Sequence, residues 1–223
     1  MRFTLFLLTV LCLCAPFCVQ AGPWLRDKGS TFTSVSITTS AEREFGTSSY
    51  LEYGVSRKMT IGADVGSFLN RAGDKTGSFT VFMRRSLGAI KGAHRLAYEL
   101  GVGTAWQGAQ TLPHIKAGLS WGRSITLRDK SGWMNVDGSL SFGISHDQHV
   151  GKIDATLGLN FTDKTTGMLQ LYLAHQDSKL YSKLVPSIVI RPRDSKFRIQ
   201  IGTELPLDNM KNAALKLGIW RNF

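Results

Sequence analysis

Three observations predict an all-β fold, a closed antiparallel up-and-down barrel. Apolar and polar residues alternate with a period of two from about residue 31 to the carboxyl terminus, which is the signature of strands with one apolar face. The i, i+3, i+4 apolar spacing of a helix is not sustained anywhere beyond Ala21. Short polar clusters such as SRKM (56 to 59), FTDKTTG (161 to 167) and RPRDSK (191 to 196) separate the alternating runs, as turns separate the strands of a sandwich or barrel.

The chain opens on a different pattern. Residues 3 to 19, FTLFLLTVLCLCAPFCV, form an apolar run behind Arg2 and lead into Val19-Gln20-Ala21 before Gly22. This is the arrangement of a secretory leader, and cleavage is expected after Ala21. A spanning helix is longer and is not broken by a residue such as Pro16. Cys12, Cys14 and Cys18 all lie in this run, so residues 22–223 carry no thiol, disulfide or Cys-based metal site. Lipid attachment at Cys18 is disfavoured by Pro16 and Phe17 ahead of it, where small residues are needed.

A polar lead-in follows, GPWLRDKG (22 to 29), which can tuck into one mouth of a barrel. Alternation then divides the chain into twelve segments, with ten as the alternative count. They lie near 31 to 40, 47 to 56, 59 to 69, 77 to 87, 95 to 106, 113 to 124, 132 to 145, 150 to 161, 167 to 176, 180 to 191, 196 to 205 and 213 to 223. In KIDATLGLNF, Ile153, Ala155, Leu157, Leu159 and Phe161 oppose Asp154, Thr156, Gly158 and Asn160. In KFRIQIGTEL, Phe197, Ile199, Ile201 and Leu205 oppose Arg198, Gln200, Gly202 and Glu204.

A soluble sandwich alternates in the same way. A transmembrane barrel turns the apolar face to lipid and the polar face inwards, and it needs an even number of strands of about 9 to 11 residues, closed so that no edge meets hydrocarbon. Twelve runs of that length meet those demands. Trp24, Trp106, Trp133 and Trp220 fall near segment ends, where aromatic girdles are expected. The expected domain plan is therefore a leader over 1–21 and one transmembrane barrel over 22–223, with short loops and no plug domain. The outer loops are expected near 41 to 46, 70 to 76, 107 to 112, 146 to 149, 177 to 179 and 206 to 212.

The last strand, LKLGIWRNF, resembles the carboxyl-terminal signal of Gram-negative outer-membrane β-barrel proteins. Lys216, Gly218 and the final Phe223 match its polar, glycine and aromatic positions, while Arg221 departs from a position that is usually aromatic or apolar. The resemblance implies export to the outer membrane and recognition by the barrel-assembly machinery. It points to a porin-like barrel without selecting a characterised subfamily.

Carrying the alternation through every strand predicts an interior, and hence a pore lining, of six acids and six bases: Glu52, Asp64, Glu99, Asp137, Asp154 and Glu204 with Arg84, Lys116, Lys183, Arg191, Arg198 and Lys216. Such charges must pair or remain hydrated, because an isolated buried charge is costly. Lys183, Arg191, Arg198 and Lys216 lie on the last three strands and most of the acids on strands two to eight, which predicts a basic wall opposite an acidic one. The chain holds 27 Lys and Arg against 16 Asp and Glu. Nucleic acid is the usual partner of such a charge, but export excludes it, and anionic lipopolysaccharide or anionic solutes are the expected partners.

The reading that follows is a passive channel for small polar or charged solutes, with no cofactor, no metal and no catalytic residue. Two alternatives are a structural barrel, which short loops disfavour, and an outer-membrane lipid hydrolase. A hydrolase needs an activated hydroxyl near the outer rim, and its candidates are His146, Asp147 and His149 in SHDQH with His175 and Asp177 in HQDS.

Overall fold

The computed structural model describes residues 22–88, 93–144, 147–193 and 195–223. The leader expected over residues 1–21 lies outside them.

Twelve strands form one sheet: β1 (Thr31–Ser40), β2 (Phe45–Ser56), β3 (Met59–Leu69), β4 (Lys75–Ser86), β5 (His94–Gln107), β6 (Gln110–Leu127), β7 (Lys130–Gly143), β8 (His149–Asn160), β9 (Thr165–Gln176), β10 (Lys179–Ile190), β11 (Phe197–Pro206) and β12 (Ala214–Asn222). Each pairs antiparallel with its sequence neighbours, and β1 pairs with β12. The barrel is closed, with twelve strands and no free edge. One short 3-10 turn, Met210–Asn212, precedes β12.

Two connections are two-residue hairpins whose central residues both have left-handed backbones: Arg128 (φ 45°) with Asp129 (φ 65°), and Asp177 (φ 49°) with Ser178 (φ 62°). That conformation matches the twist of the strands it joins. The β6–β7 hairpin lies at the end that also carries both barrel termini, called here the terminal end. The β9–β10 hairpin lies at the other, the loop end.

The faces follow the parity of the sequence. Outward positions such as Val102, Leu119, Leu140, Ile153, Ile201 and Ile219 are exposed, Leu119 by 63%. Inward positions are mostly polar or small, with Phe32, Phe82 and Val185 buried among them and a further apolar cluster near the terminal end. There Trp133, Met168 and Val189 are buried together, with Trp24 and Trp220 packed on them. This corrects the girdle expected of Trp24, Trp133 and Trp220. Trp133 shares the parity of Asp137, and Trp220 that of Lys216, so both point inwards. Trp106 alternates with the inward Glu99 and faces outwards, stacked over the Cα of Gly77 on β4.

Residues 22–30 cross the interior at the terminal end as a strap. Gly29 N donates to Gly54 O at 2.8 Å, and Gly54 N donates to Ser30 O at 3.0 Å. A side chain at Gly54 would collide with the backbone of Arg26 and Asp27, and one at Gly122 with the rings of Pro23 and Trp24. Glycine on β2 and on β6 therefore gives the strap its path across the lumen.

Candidate functional site: the charged interior

The strap and the inner faces of β2 to β6 build a ladder of ions. Glu52 on β2 is 0% exposed. Its carboxylate accepts from Arg26 Nε at 2.5 Å, Arg84 Nη1 at 2.6 Å and the Tyr50 hydroxyl at 2.7 Å. Arg84 Nη2 also donates to Glu99 Oε2 at 2.6 Å, and Lys116 Nζ stands 2.8 Å from Glu99 Oε1. The run Arg26, Glu52, Arg84, Glu99, Lys116 thus spans five consecutive strands while drawing no charge from β3. Between Glu52 and Phe82 the strand β3 contributes Gly62, and opposite Arg84 it contributes Thr60. These small residues leave room for Arg84 to reach across β3, and Thr60 Oγ1 accepts from Arg26 N at 2.9 Å.

A buried pair of ions is kept only where geometry and further hydrogen bonds offset the loss of hydration. Arg84 meets that demand: it uses Nε, Nη1 and Nη2 on Glu52, Glu99, the Tyr50 hydroxyl and the Gly22 carbonyl oxygen. A second, more open cluster lies on β10 to β12 towards the loop end. Lys183 Nζ donates to Glu204 Oε2 at 2.9 Å, and Lys216 Nζ to Glu204 Oε1 at 3.4 Å.

On the loop side of the strap the interior encloses a cavity of about 610 Å³, floored by Gly22, Trp133 and Trp220. Nine of the twelve predicted charges line it: Asp64, Arg84, Glu99, Lys116, Asp137, Asp154, Lys183, Glu204 and Lys216. Glu52 is sealed beneath the floor. Arg191 follows the end of β10, where its N–H donates to Lys164 O at 2.8 Å. Arg198 sits opposite Trp220 at the terminal end of β11. Neither of these two is part of the cavity lining.

The two walls are less polarised than strand order implied, because Glu204 offsets one of the two charges of Lys183 and Lys216 while Arg84 and Lys116 hold Glu99. Asp64 and Asp154 make no ion pair within 4 Å among the described residues; Lys116 and Lys152 are the bases nearest to act on them through space. Lys152, Gln170 and Tyr172 also line the cavity and were missed. Parity alone marks them: Lys152 shares the parity of Asp154, and Tyr172 that of Gln170.

The histidines expected of a hydrolase do not meet in this cavity. His149 and His175 lie on the outward faces of β8 and β9, and His149 packs edge-on against Phe142. Asp177 forms part of the β9–β10 hairpin, Asp147 lies in the β7–β8 connection, and His146 is outside the described residues. Among the described residues His114 is the histidine that points inwards, with Nε2 3.2 Å from Thr80 Oγ1.

At the carboxyl end, Lys216 and Trp220 line the cavity, whereas Leu215, Leu217, Ile219 and Phe223 are exposed outwards. Arg221 explains its own departure from the apolar pattern: its guanidinium lies 4.1 Å over the Phe223 ring and 5.0 Å from that of Phe197.

No protein-family model matches the chain, and no curated protein matches it. Solved structures do match. The KdgM porin superposes with a TM-score of 0.59 at 8% identity, covering 86% of this chain and 99% of that one; it is also known in complex with disordered oligogalacturonate. An outer-membrane channel from Pseudomonas putida F1 gives 0.59 at 12%, covering 92% and 100%. LpxR from Salmonella typhimurium gives 0.53 at 6%, covering 87% and 99%. At these identities the likeness establishes the fold alone, that of an outer-membrane-type β-barrel.

Proposed function

We propose that the protein is an exported outer-membrane barrel that works as a porin-like passive channel for small polar or charged solutes. One observation carries this reading: a cavity of about 610 Å³ lined by charged and polar side chains, inside a wall whose outward face is apolar. A hydrated lumen behind a lipid-facing belt is what solute passage requires. The architecture shared with the KdgM porin and the Pseudomonas putida channel supports it. Lys116, Lys152, Lys183 and Lys216 would attract anionic groups, while Asp64, Asp154 and Glu204 temper the preference. The strap over residues 22–30 forms the constriction, and a solute passes where the strap yields.

The same reading places the apolar belt in lipid and the basic loop-end residues Arg43, Arg71, Lys75 and Lys179 beside lipopolysaccharide phosphates. Lys216, Gly218 and Phe223 would serve as the assembly signal. Planar-bilayer recording tests the function. Residues 22–223 should pass small unitary currents, and the same chain lacking residues 22–29 should pass larger ones. Silence from both chains, with fatty-acid release from lipid, would replace the channel by a hydrolase. Recovery of the native protein outside the outer-membrane fraction would refute the location.

A further inference from the structure

The start of the strap contains a feature the channel does not use. Gly22 is buried and left-handed, with φ 79°, a conformation that favours glycine over any residue with a side chain. Its carbonyl oxygen accepts from Arg84 Nη1 at 3.0 Å. The space beside its Cα is already taken: a Cβ there would stand 2.9 Å from Asp137 Oδ1, 3.1 Å from Asp137 Oδ2 and 3.0 Å from Asn135 Nδ2. The Gly22 nitrogen is bonded to that same Cα, which places it in the same part of the floor as the Asp137 carboxylate.

That carboxylate lacks a counter-charge. Asn135 Nδ2 donates to Asp137 Oδ2 at 2.6 Å, but Asp137 Oδ1 and Asn135 Oδ1 are buried with no hydrogen-bond partner among the described residues. Ser120, the cross-strand neighbour of Asp137, offers its hydroxyl to the same carboxylate, and Oδ1 is still left without a partner. No base lies within ion-pair distance among the described residues, and Arg84 is already held by Glu52 and Glu99. A carboxylate oxygen buried without a partner is costly. It marks a place for a cation with several donors.

We propose that proteolysis supplies that cation. Hydrolysis of the Ala21–Gly22 amide by a leader peptidase consumes one water, leaves a carboxylate on Ala21 and frees an amine on Gly22 that takes up a proton. The uncleaved amide nitrogen carries one N–H and no charge. The freed ammonium carries three donors and is charged at neutral pH, since an α-amino group titrates near 7.7 to 8.0. It pairs with Asp137, hydrogen-bonds Asn135 Oδ1 and locks the strap across the floor. Removal of the leader and setting of the constriction thereby become one event. This inference rests on the reading of residues 1–21 as a cleaved leader.

Two measurements test it separately. Intact-mass analysis of protein from the membrane should give a chain beginning at Gly22; any other start refutes the processing step. The pairing is tested on refolded chains that begin at Gly22, compared with the same chains acetylated there or extended by two alanines, each with and without D137N. Blocking or extending the amine should lower the unfolding midpoint by several degrees when Asp137 is present and leave it unchanged in D137N. An equal shift in both backgrounds, or none in either, overturns the pairing. If D137N does not refold, amine-reactive labelling of the parent chain decides: Gly22 should react roughly tenfold more slowly folded than unfolded, and equal rates overturn the proposal.

Discussion

The backbone of Phe223 exchanges two hydrogen bonds with that of Thr31: Phe223 N donates to Thr31 O at 2.9 Å, and Thr31 N donates to Phe223 O at 3.3 Å. The last residue of the chain is thus tied to the first residue of the first strand, at the seam where the barrel closes. The residue is 60% exposed on the outward face.

Deleting Phe223 removes this last pair of bonds, each worth about 1 kcal/mol net, and leaves the rest of the β1–β12 ladder intact. Refolding in detergent should therefore stay near normal. The amount of folded protein in the outer membrane should fall severalfold if the carboxyl-terminal strand is the assembly signal proposed above. Comparing gel-shifted barrel from the two sources checks this, and equal losses in both would reduce the residue to a structural one.

Glu204 sets the charge of the loop-end cluster by holding Lys183 and Lys216. Glu204→Gln should shift the channel towards anions, and Lys183→Ala with Lys216→Ala towards cations. A unit charge about 4 Å from the path is worth about 1 kcal/mol in water, or a factor of about five in permeability ratio. Reversal potentials at low salt measure it, and the effect should fade at high salt.

Arg84 joins the two most buried acids of the floor. Arg84→Met leaves Glu52 with Arg26 alone and Glu99 with Lys116 alone, and should cost about 3 to 5 kcal/mol. The added substitution Glu52→Gln should restore part of that loss, because the uncompensated charge goes with it. Urea unfolding in detergent, followed by tryptophan fluorescence, reports the midpoints; full additivity of the two changes would refute the coupling.

Gly122 makes room for Pro23 and Trp24. Gly122→Val should expel this part of the strap without opening the β6 ladder, so the heat-dependent gel shift persists while unitary conductance rises. Unchanged conductance would mean that the strap does not limit the passage.

The strand set was legible because a strand's periodicity is local. Twelve runs and the inward parity of Asp64, Asp154 and Lys216 follow from alternation, which each strand expresses whatever its neighbours do. Parity also held the answer for Trp133 and Lys152, where residue type had pointed to an aromatic girdle or had drawn no attention. Charge, parity and strand order nevertheless left open which ions meet. That Arg84 pairs with Glu52 depends on Gly62 and Thr60 of the intervening strand and on the levels at which the three strands align, and both are set by lateral register. The strap's course from Gly54 to Gly122, and the meeting of Gly22 with Asp137, join positions far apart in the chain. No periodicity records such contacts; they exist because closing the barrel brings β2, β6 and β7 around one narrow interior.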